Sequence, residues 1–323
     1  MTTVAVEAPP LSVRRYTAAD AAAWDELVAR SRTSHFMFAR GYMEYHADRF
    51  EDHSLMVFDG ERLVALLPAS RRDARTVVSH GGLTFGGVVC DARMTTAGML
   101  RAFDAIVAEL RSSGVEELLY KAVPYVYSDL PSDEDLYALF RHDARLVRRD
   151  VSAAIRLDAR LPYSKGRKHS VKQARRAELE VAQSHDFHEF MELEAHVLAQ
   201  RHDAVPTHSG AELERLAGRF PENIRLYTAR RGGTLLAGVV MYETPVVAHT
   251  QYIASSDEGR SLGAADAVID RLIAEHEERG TRWFDFGIST EDAGRYLNDG
   301  LQRNKESYGA RAVAYDHWSI ALR

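Results

Sequence analysis

The chain contains one cysteine among its 323 residues. A single cysteine excludes an internal disulfide and a thiolate cage for zinc, so we expect a reducing compartment. Cys90 follows two valines and is interpreted as a small buried hydrophobic residue rather than a nucleophile. The histidines also lack the His-Glu-x-x-His spacing of zinc hydrolases, and we therefore expect no metal site.

Long apolar runs are missing as well. No segment approaches the roughly 20 consecutive apolar residues that a membrane-spanning helix requires. Residues 1–10 contain neither the basic region nor the apolar region of a secretory signal. We therefore expect a cytoplasmic protein without a membrane span.

Motifs that identify two large enzyme classes do not occur. The sequence contains no Gly-x-x-x-x-Gly-Lys-Ser/Thr loop and no Gly-x-Gly-x-x-Gly fingerprint. ATPase and dinucleotide-dependent oxidoreductase activities are thus disfavoured. The formal net charge of −6 argues against unspecific coating of nucleic acid but is compatible with a local basic patch.

The composition that remains is that of a packed α/β protein, with 46% hydrophobic and 27% charged residues. The length exceeds the roughly 100–200 residues of one domain, which predicts two. We place them at residues 1–158 and 159–323.

The first half contains a hairpin signal. Asp59 and Gly60 separate two apolar runs, as in two antiparallel strands joined by a tight turn. A third strand region and a long amphipathic helix follow, and the helix ends at Gly114 before another strand. The predicted helices are 18–30, 41–49 and 97–112, and the predicted strands are 54–58, 62–67, 76–89 and 117–123.

The second half repeats this order. Gly232 and Gly233 join two apolar strands, a third strand follows, and a helix ending at Gly280 precedes the next strand. The predicted strands are 224–229, 235–242, 246–255 and 282–286, and the predicted helix is 264–278. We interpret the repetition as an internal duplication that gives two tandem lobes, each a mixed sheet flanked by helices.

The order of hairpin, third strand, long helix and parallel strand resembles the centre of the GNAT (N-acetyltransferase) fold in both halves. Two such lobes in tandem are similar to the Fem-like transferases, and this resemblance implies a donor amino acid carried by aminoacyl-tRNA. The chain has no coiled-coil arm of the kind found in some cell-wall members, which favours the branch that extends pacidamycin-type peptidyl nucleoside antibiotics. Another α/β sandwich with the same element order is the alternative.

A basic segment opens the second lobe. Residues 164–177 contain six lysines and arginines and no acidic residue. On a helix, several of these side chains share one face, which favours a phosphate-rich ligand such as tRNA; a solvated surface is the alternative. The candidate tRNA- or phosphate-binding residues here are Lys165, Arg167, Lys168, Lys172, Arg175 and Arg176.

Arg260 and Gly263 stand directly before the helix 264–278, in the Arg-x-x-Gly-x-Ala form that resembles the GNAT pyrophosphate loop. Backbone N–H groups at a helix start suit an anion. In the Fem-like branch the donor is an ester on tRNA, so Gly263 has helix–strand packing as its alternative role.

The end of the chain resembles Fem-like proteins most specifically. A Phe-Asp-Phe-Gly strand end is followed by Lys305-x-x-Tyr308-Gly309. Aminolysis of an ester requires a proton acceptor for the amine and positive charge near the oxyanion. We assign Lys305 to the oxyanion or the departing ribose oxygen, Tyr308 to the leaving group, and Glu291 or His249 to the amine proton. Surface charge, aromatic packing and a helix-start charge are the structural alternatives for Lys305, Tyr308 and Glu291.

Other polar residues near strand ends and turns are candidate substrate ligands. His249 and Gln251 alternate along one predicted strand, so we expect both side chains on one face. The full set of substrate-binding candidates is Gln251, Ser289, Asn298, His208 and Asp285.

These observations predict a tRNA-dependent aminoacyltransferase that acts without a cofactor. Its acceptor is the free amine of a peptide, either a cell-wall precursor or a peptidyl antibiotic. The alternatives are a GNAT enzyme that uses acyl-coenzyme A on a small amine, and a non-catalytic binding protein.

Overall fold

The computed structural model describes residues 10–33, 35–202 and 205–322, without the side chains of residues 201 and 202. The chain divides into two compact units. Unit 1 comprises Met1–Arg149 together with Tyr315–Arg323, and unit 2 comprises Asp150–Ala314. The division falls inside a strand at residue 149 rather than at residue 158, and the end of the last strand belongs to unit 1 because it pairs there.

Unit 1 contains two sheets. One is a four-stranded antiparallel sheet in the order β1-β2-β3-β6. In the other, β4-β5-β7-β16, the strands β5 and β7 pair in parallel, and the last strand of the chain, β16 (Arg311–Ala321), pairs with β7. The elements up to the division are β1 (Ser12–Arg15), α1 (Ala21–Ala29), α2 (Arg40–Met43), β2 (Leu55–Asp59), β3 (Arg62–Leu67), β4 (Ser70–Arg71), β5 (Thr76–Val78), β6 (Val89–Cys90), α3 (Thr96–Ser112), β7 (Glu117–Lys121), α4 (Glu134–Arg141) and β8 (Arg145–Arg156).

Helix α3 supplies much of the unit 1 core. Thr95 caps its first turn by accepting from the Gly98 N–H at 3.1 Å, and Gly114 follows its end with φ +78°. Its buried residues recur at three- and four-residue spacing and face the sheet. They are Met99, Ala102, Phe103, Ile106, Val107 and Leu110.

The predicted strand 76–89 is instead two short strands in different sheets, β5 and β6. The glycines between them explain the break. A Cβ on Gly86 would lie 2.0 Å from the Ser79 carbonyl oxygen, and Gly87 has φ +87°. The backbone therefore leaves the ladder here, in a path that only glycine permits.

Unit 2 is built on a sheet in the order β8-β13-β12-β11-β10-β9. Its strands pair antiparallel except β12 and β13, which are parallel. The remaining elements are α5 (Lys165–Arg176), β9 (Glu180–Ser184), α6 (Phe187–His202), α7 (Gly210–Arg219), β10 (Ile224–Arg231), β11 (Thr234–Glu243), β12 (Val247–Ser255), α8 (Asp257–Leu262), α9 (Ala264–Glu278), β13 (Trp283–Ile288), β14 (Thr290–Glu291), β15 (Tyr296–Leu297), α10 (Asp299–Glu306) and β16 (Arg311–Ala321).

The predicted repetition is confirmed. In each unit a hairpin, β2–β3 or β10–β11, is followed by a third strand region, a long helix and a strand that pairs in parallel with an earlier one. The third strand region is β4 to β6 in unit 1 and β12 in unit 2. Helix α9 occupies the predicted residues because Gly263 and Gly280, with φ +71° and +75°, flank it. Among the helices of the described ranges, none has the length and apolar character needed to cross a membrane.

Candidate active site

Polar side chains gather where β12 and β13 stop pairing. Their parallel ladder covers only Val247–His249 against Trp283–Asp285. The end of a parallel pair leaves a gap between strands in which a ligand can sit. His249 and Asp285 are the last pair in this ladder.

Both side chains lie on the sheet face that α6 covers. Directly paired residues point to the same face, so Asp285, His249 and its β11 partner Tyr242 share one. Gly238 lies on that face too, four residues before Tyr242, and a Cβ there would contact the Phe190 ring of α6 at 2.5 Å. We call this side of the unit 2 sheet the α6 face.

Asp285 holds His249 in a defined orientation. Its Oδ2 lies 2.8 Å from His249 Nδ1, and its Oδ1 accepts from Ser152 Oγ at 2.6 Å and from the Gly287 N–H at 3.3 Å. An ionised carboxylate can only accept, so Nδ1 carries the proton and Nε2 is the basic nitrogen. Asp285 is fully buried, so its charge acts on the imidazole with little screening by solvent. This arrangement suits a histidine that exchanges protons with a substrate.

Lys305 is buried next to the same strand end. Two of the three N–H groups of its ammonium donate to the Gly287 and Ile288 carbonyls, at 2.8 and 2.7 Å. Burial lowers the pKa of Lys305 to about 8, and the charge of Asp285 opposes that shift. The side chain is therefore mostly charged at neutral pH and can place one further N–H on a developing negative charge.

Ser289 adds a hydroxyl that lacks a partner. Its backbone N–H donates to Val151 O at 2.7 Å, but its buried Oγ has no hydrogen-bond partner among the described residues. Buried hydroxyls are normally paired, so this one is a candidate ligand for a substrate.

Glu291 and Asn298 hold the backbone beyond the strand. Asn298 Nδ2 donates to Glu291 Oε1 at 3.0 Å, and Asn298 Oδ1 accepts from the Leu301 N–H at 3.0 Å, which caps α10. Glu291 is exposed. The structure gives both residues local roles, and their predicted roles in proton transfer and substrate binding stay predictions.

The structure places Tyr308 on the opposite face of the sheet, in the core beneath α9. Its ring stacks on Phe286 at 5.3 Å and lies under the Arg167 guanidinium at 3.9 Å, and its hydroxyl donates to Asp266 at 2.5 Å. Burial raises the pKa of Tyr308 well above its usual range. This position separates it from His249, so we do not assign it to the leaving group. The structure fits the alternative role of Tyr308, which is aromatic packing in the core.

The segment that resembles a pyrophosphate loop packs against α5 at Gly263. Gly263 joins α8 to α9 in a left-handed conformation, and a Cβ there would lie 3.1 Å from Ser170 O and 3.4 Å from the Ala174 Cβ of α5. Arg260 is paired with Asp257. Gly263 therefore permits close packing of two helices rather than of a helix and a strand.

Helix α5 presents two different faces. Val171 and Ala174 are buried, and Arg167 turns inward to pair with Asp266 in the first turn of α9. Arg175 is exposed but pairs with Asp270 at 2.8 Å. The outward face carries four exposed cations at offsets of three and four residues, none of which pairs with another described residue. This basic stripe consists of Lys165, Lys168, Lys172 and Arg176.

A register shift in β12 changes which residues accompany His249. Met241 pairs with Thr250 but Val240 pairs with Tyr252, so Gln251 forms a bulge. Tyr252 therefore lies on the same face of the sheet as His249. This corrects the expectation that Gln251 shares that face with His249. The Tyr252 hydroxyl lies 2.7 Å from His208 Nδ1.

Residues 164–296 match the family described as Acetyltransferase (GNAT) domain. The chain is also similar to solved structures over most of its length. A crystal structure of FemX has 10% identity and a TM-score of 0.70, with 96% of this chain and 97% of that chain covered. L-PGS from Bacillus licheniformis has 13% identity and a TM-score of 0.57, with 80% and 82% covered.

A tandem GNAT protein from the clavulanic acid biosynthesis pathway has 13% identity and a TM-score of 0.52, with 97% of this chain and 99% of that chain covered. These likenesses confirm the fold of two tandem GNAT-like lobes. No curated protein sequence matches the chain.

Proposed function

We propose that the protein is an aminoacyltransferase that moves an amino acid from aminoacyl-tRNA to the free amine of a peptide and forms a peptide bond. The observation that carries this proposal is the buried Asp285–His249 pair beside Lys305, at the end of the parallel strands β12 and β13. The GNAT match and the fold shared with FemX support acyl transfer as the reaction class.

The proposed step balances without an added reagent. The acceptor amine nitrogen attacks the ester carbonyl carbon while His249 Nε2 takes a proton from that nitrogen. The bond from the carbonyl carbon to the ribose oxygen then breaks, and the imidazolium returns the proton to that oxygen. The products are an amide and a tRNA with a free terminal hydroxyl. Asp285 stabilises the imidazolium in between.

Lys305 stabilises the tetrahedral intermediate. Negative charge develops on the former carbonyl oxygen, and a charged donor fixed in a buried site stabilises that charge more than it stabilises the neutral ester. The Gly287 and Ile288 carbonyls fix the ammonium.

The donor is proposed to be aminoacyl-tRNA, with no cofactor. The basic stripe of α5 offers four exposed cations to a phosphate backbone. A Cβ on Gly263, at the start of α9, would lie within 3.4 Å of atoms of α5, so α5 limits the space for a pyrophosphate there. Both features favour a tRNA donor over acyl-coenzyme A.

The acceptor is proposed to be a peptide with a free amine, in a cell-wall precursor or a peptidyl antibiotic. Because charged tRNA is a cytoplasmic substrate, the proposed location is the cytoplasm.

Offering the purified protein aminoacyl-tRNAs and acyl-coenzyme A species in parallel, each with candidate peptide amines, tests the proposal. We expect radiolabelled amino acid to enter the peptide only from the tRNA donor. Transfer from coenzyme A alone would refute the proposed donor and support the GNAT alternative. Binding of donors without any turnover would support a non-catalytic protein.

A further inference from the structure

Arg167 is an arginine of α5 whose side chain points away from the basic stripe. It lies in the first turn of the helix, and 10% of its side chain is exposed. Its guanidinium pairs with Asp266 of α9 and lies over the Tyr308 ring, 3.9 Å from the ring centre. The donors of Arg167 are therefore directed into the protein rather than towards a bound phosphate backbone.

The same guanidinium holds the end of α10. Arg167 Nε donates to Ser307 Oγ at 3.0 Å, and Nη2 donates to the Asn304 carbonyl at 3.5 Å. Ser307 Oγ in turn donates to the Asn304 carbonyl at 2.5 Å. A cation suits this place, because the last carbonyls of a helix lack donors within the helix and carry partial negative charge.

Lys305 lies between the two residues that Arg167 contacts. It belongs to the last turn of α10, one residue after Asn304 and two before Ser307. Its ammonium reaches from there to two carbonyls at the end of β13, at 2.8 and 2.7 Å. The position of the last turn of α10 therefore sets the position of the ammonium.

Helix α5 and the segment after α10 are also joined through the main chain. The N–H of Ser164, at the start of α5, donates to the Ser307 carbonyl at 2.9 Å. A Cβ on Gly309 would lie 2.5 Å from the Leu161 carbonyl oxygen, so the two backbones pack closely there. These contacts hold residues 307–309 against the start of α5, and Arg167 extends the attachment to the last turn of α10.

We propose that Arg167 is a positioning residue: it holds the end of α10 against α5 and thereby fixes the Lys305 ammonium for the oxyanion. This inference rests on the proposed function, because it takes Lys305 as the oxyanion donor. It gives α5 two separate tasks. The exposed cations of the basic stripe bind the donor phosphates, and the inward arginine orders the group that acts on the donor ester.

Arg167→Lys separates positioning from charge. A lysine keeps the positive charge opposite Asp266 but lacks the planar fork that contacts Ser307 and Asn304 together. Because a displacement of about 1 Å can slow a reaction about a hundredfold, we expect kcat to fall by about 10- to 100-fold. The Kd for tRNA should change by less than about twofold, since the stripe is intact. An unchanged kcat would contradict the proposal.

Arg160→Gln is the matched control. Arg160 also pairs with α9, through Glu277 at 3.0 Å, and its loss removes an ion pair without touching the Arg167 contacts to α10. This variant should keep the wild-type kcat. Equal losses of kcat in Arg160→Gln and Arg167→Lys would overturn the assignment, because the effect would then come from the packing of α9 in general.

A double-mutant cycle tests whether Arg167 acts through Lys305. In a Lys305→Ala background, Arg167→Lys should lower kcat by less than about twofold further, since the group that it positions is gone. The full loss in that background would overturn the proposal, because a general structural defect acts independently of Lys305. Ser307→Ala removes the acceptor of Nε and covers the case in which Arg167→Lys does not fold. It should lower kcat less, and only while Lys305 is present; the same loss without Lys305 would contradict the proposal.

NMR titration of the Lys305 side chain gives a readout that needs no turnover. Burial lowers the pKa of Lys305 to about 8, and Lys305→Arg identifies the resonance by removing it. Arg167→Lys leaves the charge unchanged, so a released and more exposed Lys305 should titrate closer to its ordinary pKa of about 10.5. An unchanged pKa would refute the positioning role.

The two readouts separate this inference from the proposed function. If the Lys305 pKa rises in Arg167→Lys but the wild-type protein transfers no amino acid from tRNA, the positioning role stands and the proposed function fails. If transfer proceeds and neither kcat nor the Lys305 pKa depends on Arg167, the transferase proposal stands and the positioning role is refuted.

Discussion

Each unit has a histidine near the end of its parallel strand pair, but the surroundings of the two histidines differ. In unit 2 the parallel pair β12–β13 ends at His249, which contacts the carboxylate of Asp285. In unit 1 the parallel pair β5–β7 ends just before His80 and Lys121. The His80 ring stacks on the His46 ring at 5.3 Å. Burial lowers the pKa of His80 to about 3, and smaller effects in the same direction come from His46, Lys121 and Arg40.

The comparison shows what a carboxylate adds. The carboxylate of Asp285 fixes the His249 ring through a hydrogen bond and places an opposite charge beside it. A histidine among cations stays neutral and acts as a packed ring. The duplicated fold therefore supplies two sheet openings, and side-chain charge makes only the one in unit 2 suitable for proton transfer.

Removing that charge should have the largest effect. Asp285→Asn keeps the size of the side chain but allows the wrong imidazole tautomer, so single-turnover transfer should fall by about 10²–10⁴. His80→Asn in unit 1 should leave the transfer rate of folded protein unchanged. Equal losses in the two variants would break the distinction between the units.

Lys305→Ala should lower the transfer rate by about 10²–10³, since it removes a donor to the oxyanion. It also removes the donor to the Gly287 and Ile288 carbonyls. We therefore expect a lower melting temperature as well. Single-turnover transfer measured alongside thermal unfolding gives the rate per folded molecule. That rate decides whether Lys305 stabilises the oxyanion or only the fold, and an unchanged rate would leave it with only the structural role.

Replacing the basic stripe should have a smaller effect, on donor binding. Neutral residues at Lys165, Lys168, Lys172 and Arg176 should weaken tRNA affinity and flatten its salt dependence, by about 0.7–0.9 in log–log slope for each phosphate that is no longer neutralised. Arg175→Gln is the matched control, because Arg175 already pairs with Asp270. Unchanged affinity and slope in the quadruple variant would make the stripe a solvated surface.

The smallest effect concerns stability in acid. His80 is neutral in the folded protein because burial and nearby cations lower its pKa to about 3, from 6.5 in an ordinary setting. Below about pH 6.5 the unfolded chain binds a proton there that the folded chain does not. The free energy of unfolding therefore decreases as the pH is lowered. His80→Asn should reduce this slope by up to about 1.4 kcal/mol per pH unit. Urea unfolding at about pH 7 and about pH 5 measures it, and identical slopes would contradict the account.

Local patterns allowed much of the fold to be predicted. Asp59-Gly60 marked the β2–β3 hairpin, and glycines with positive φ marked the ends of α9. These signals act within a few residues and need no knowledge of the partner strand. The strand expected at residues 76–89 failed because Gly86 must approach Ser79 closely, a tertiary contact.

The site could be predicted only in part, because its geometry depends on distant pairings. Strand β8 brings Ser152 to Asp285 across more than a hundred residues, and no motif marks it. The bulge that turns Tyr252 towards the α6 face has no local glycine signal. Tyr308 was expected at the site because it is close to Lys305 in sequence, but its ring packs on Phe286 in the core beneath α9.

Chemical rescue tests the central claim most directly, namely that the His249 imidazole carries the proton from amine to leaving oxygen. Single-turnover transfer from aminoacyl-tRNA is measured for His249→Gly with and without added imidazole. The account predicts a rate lower by about 10²–10⁴ that free imidazole partly restores, with tRNA binding unchanged by imidazole. A full rate without His249, or a loss that imidazole does not restore in a folded protein that still binds donor, would contradict it.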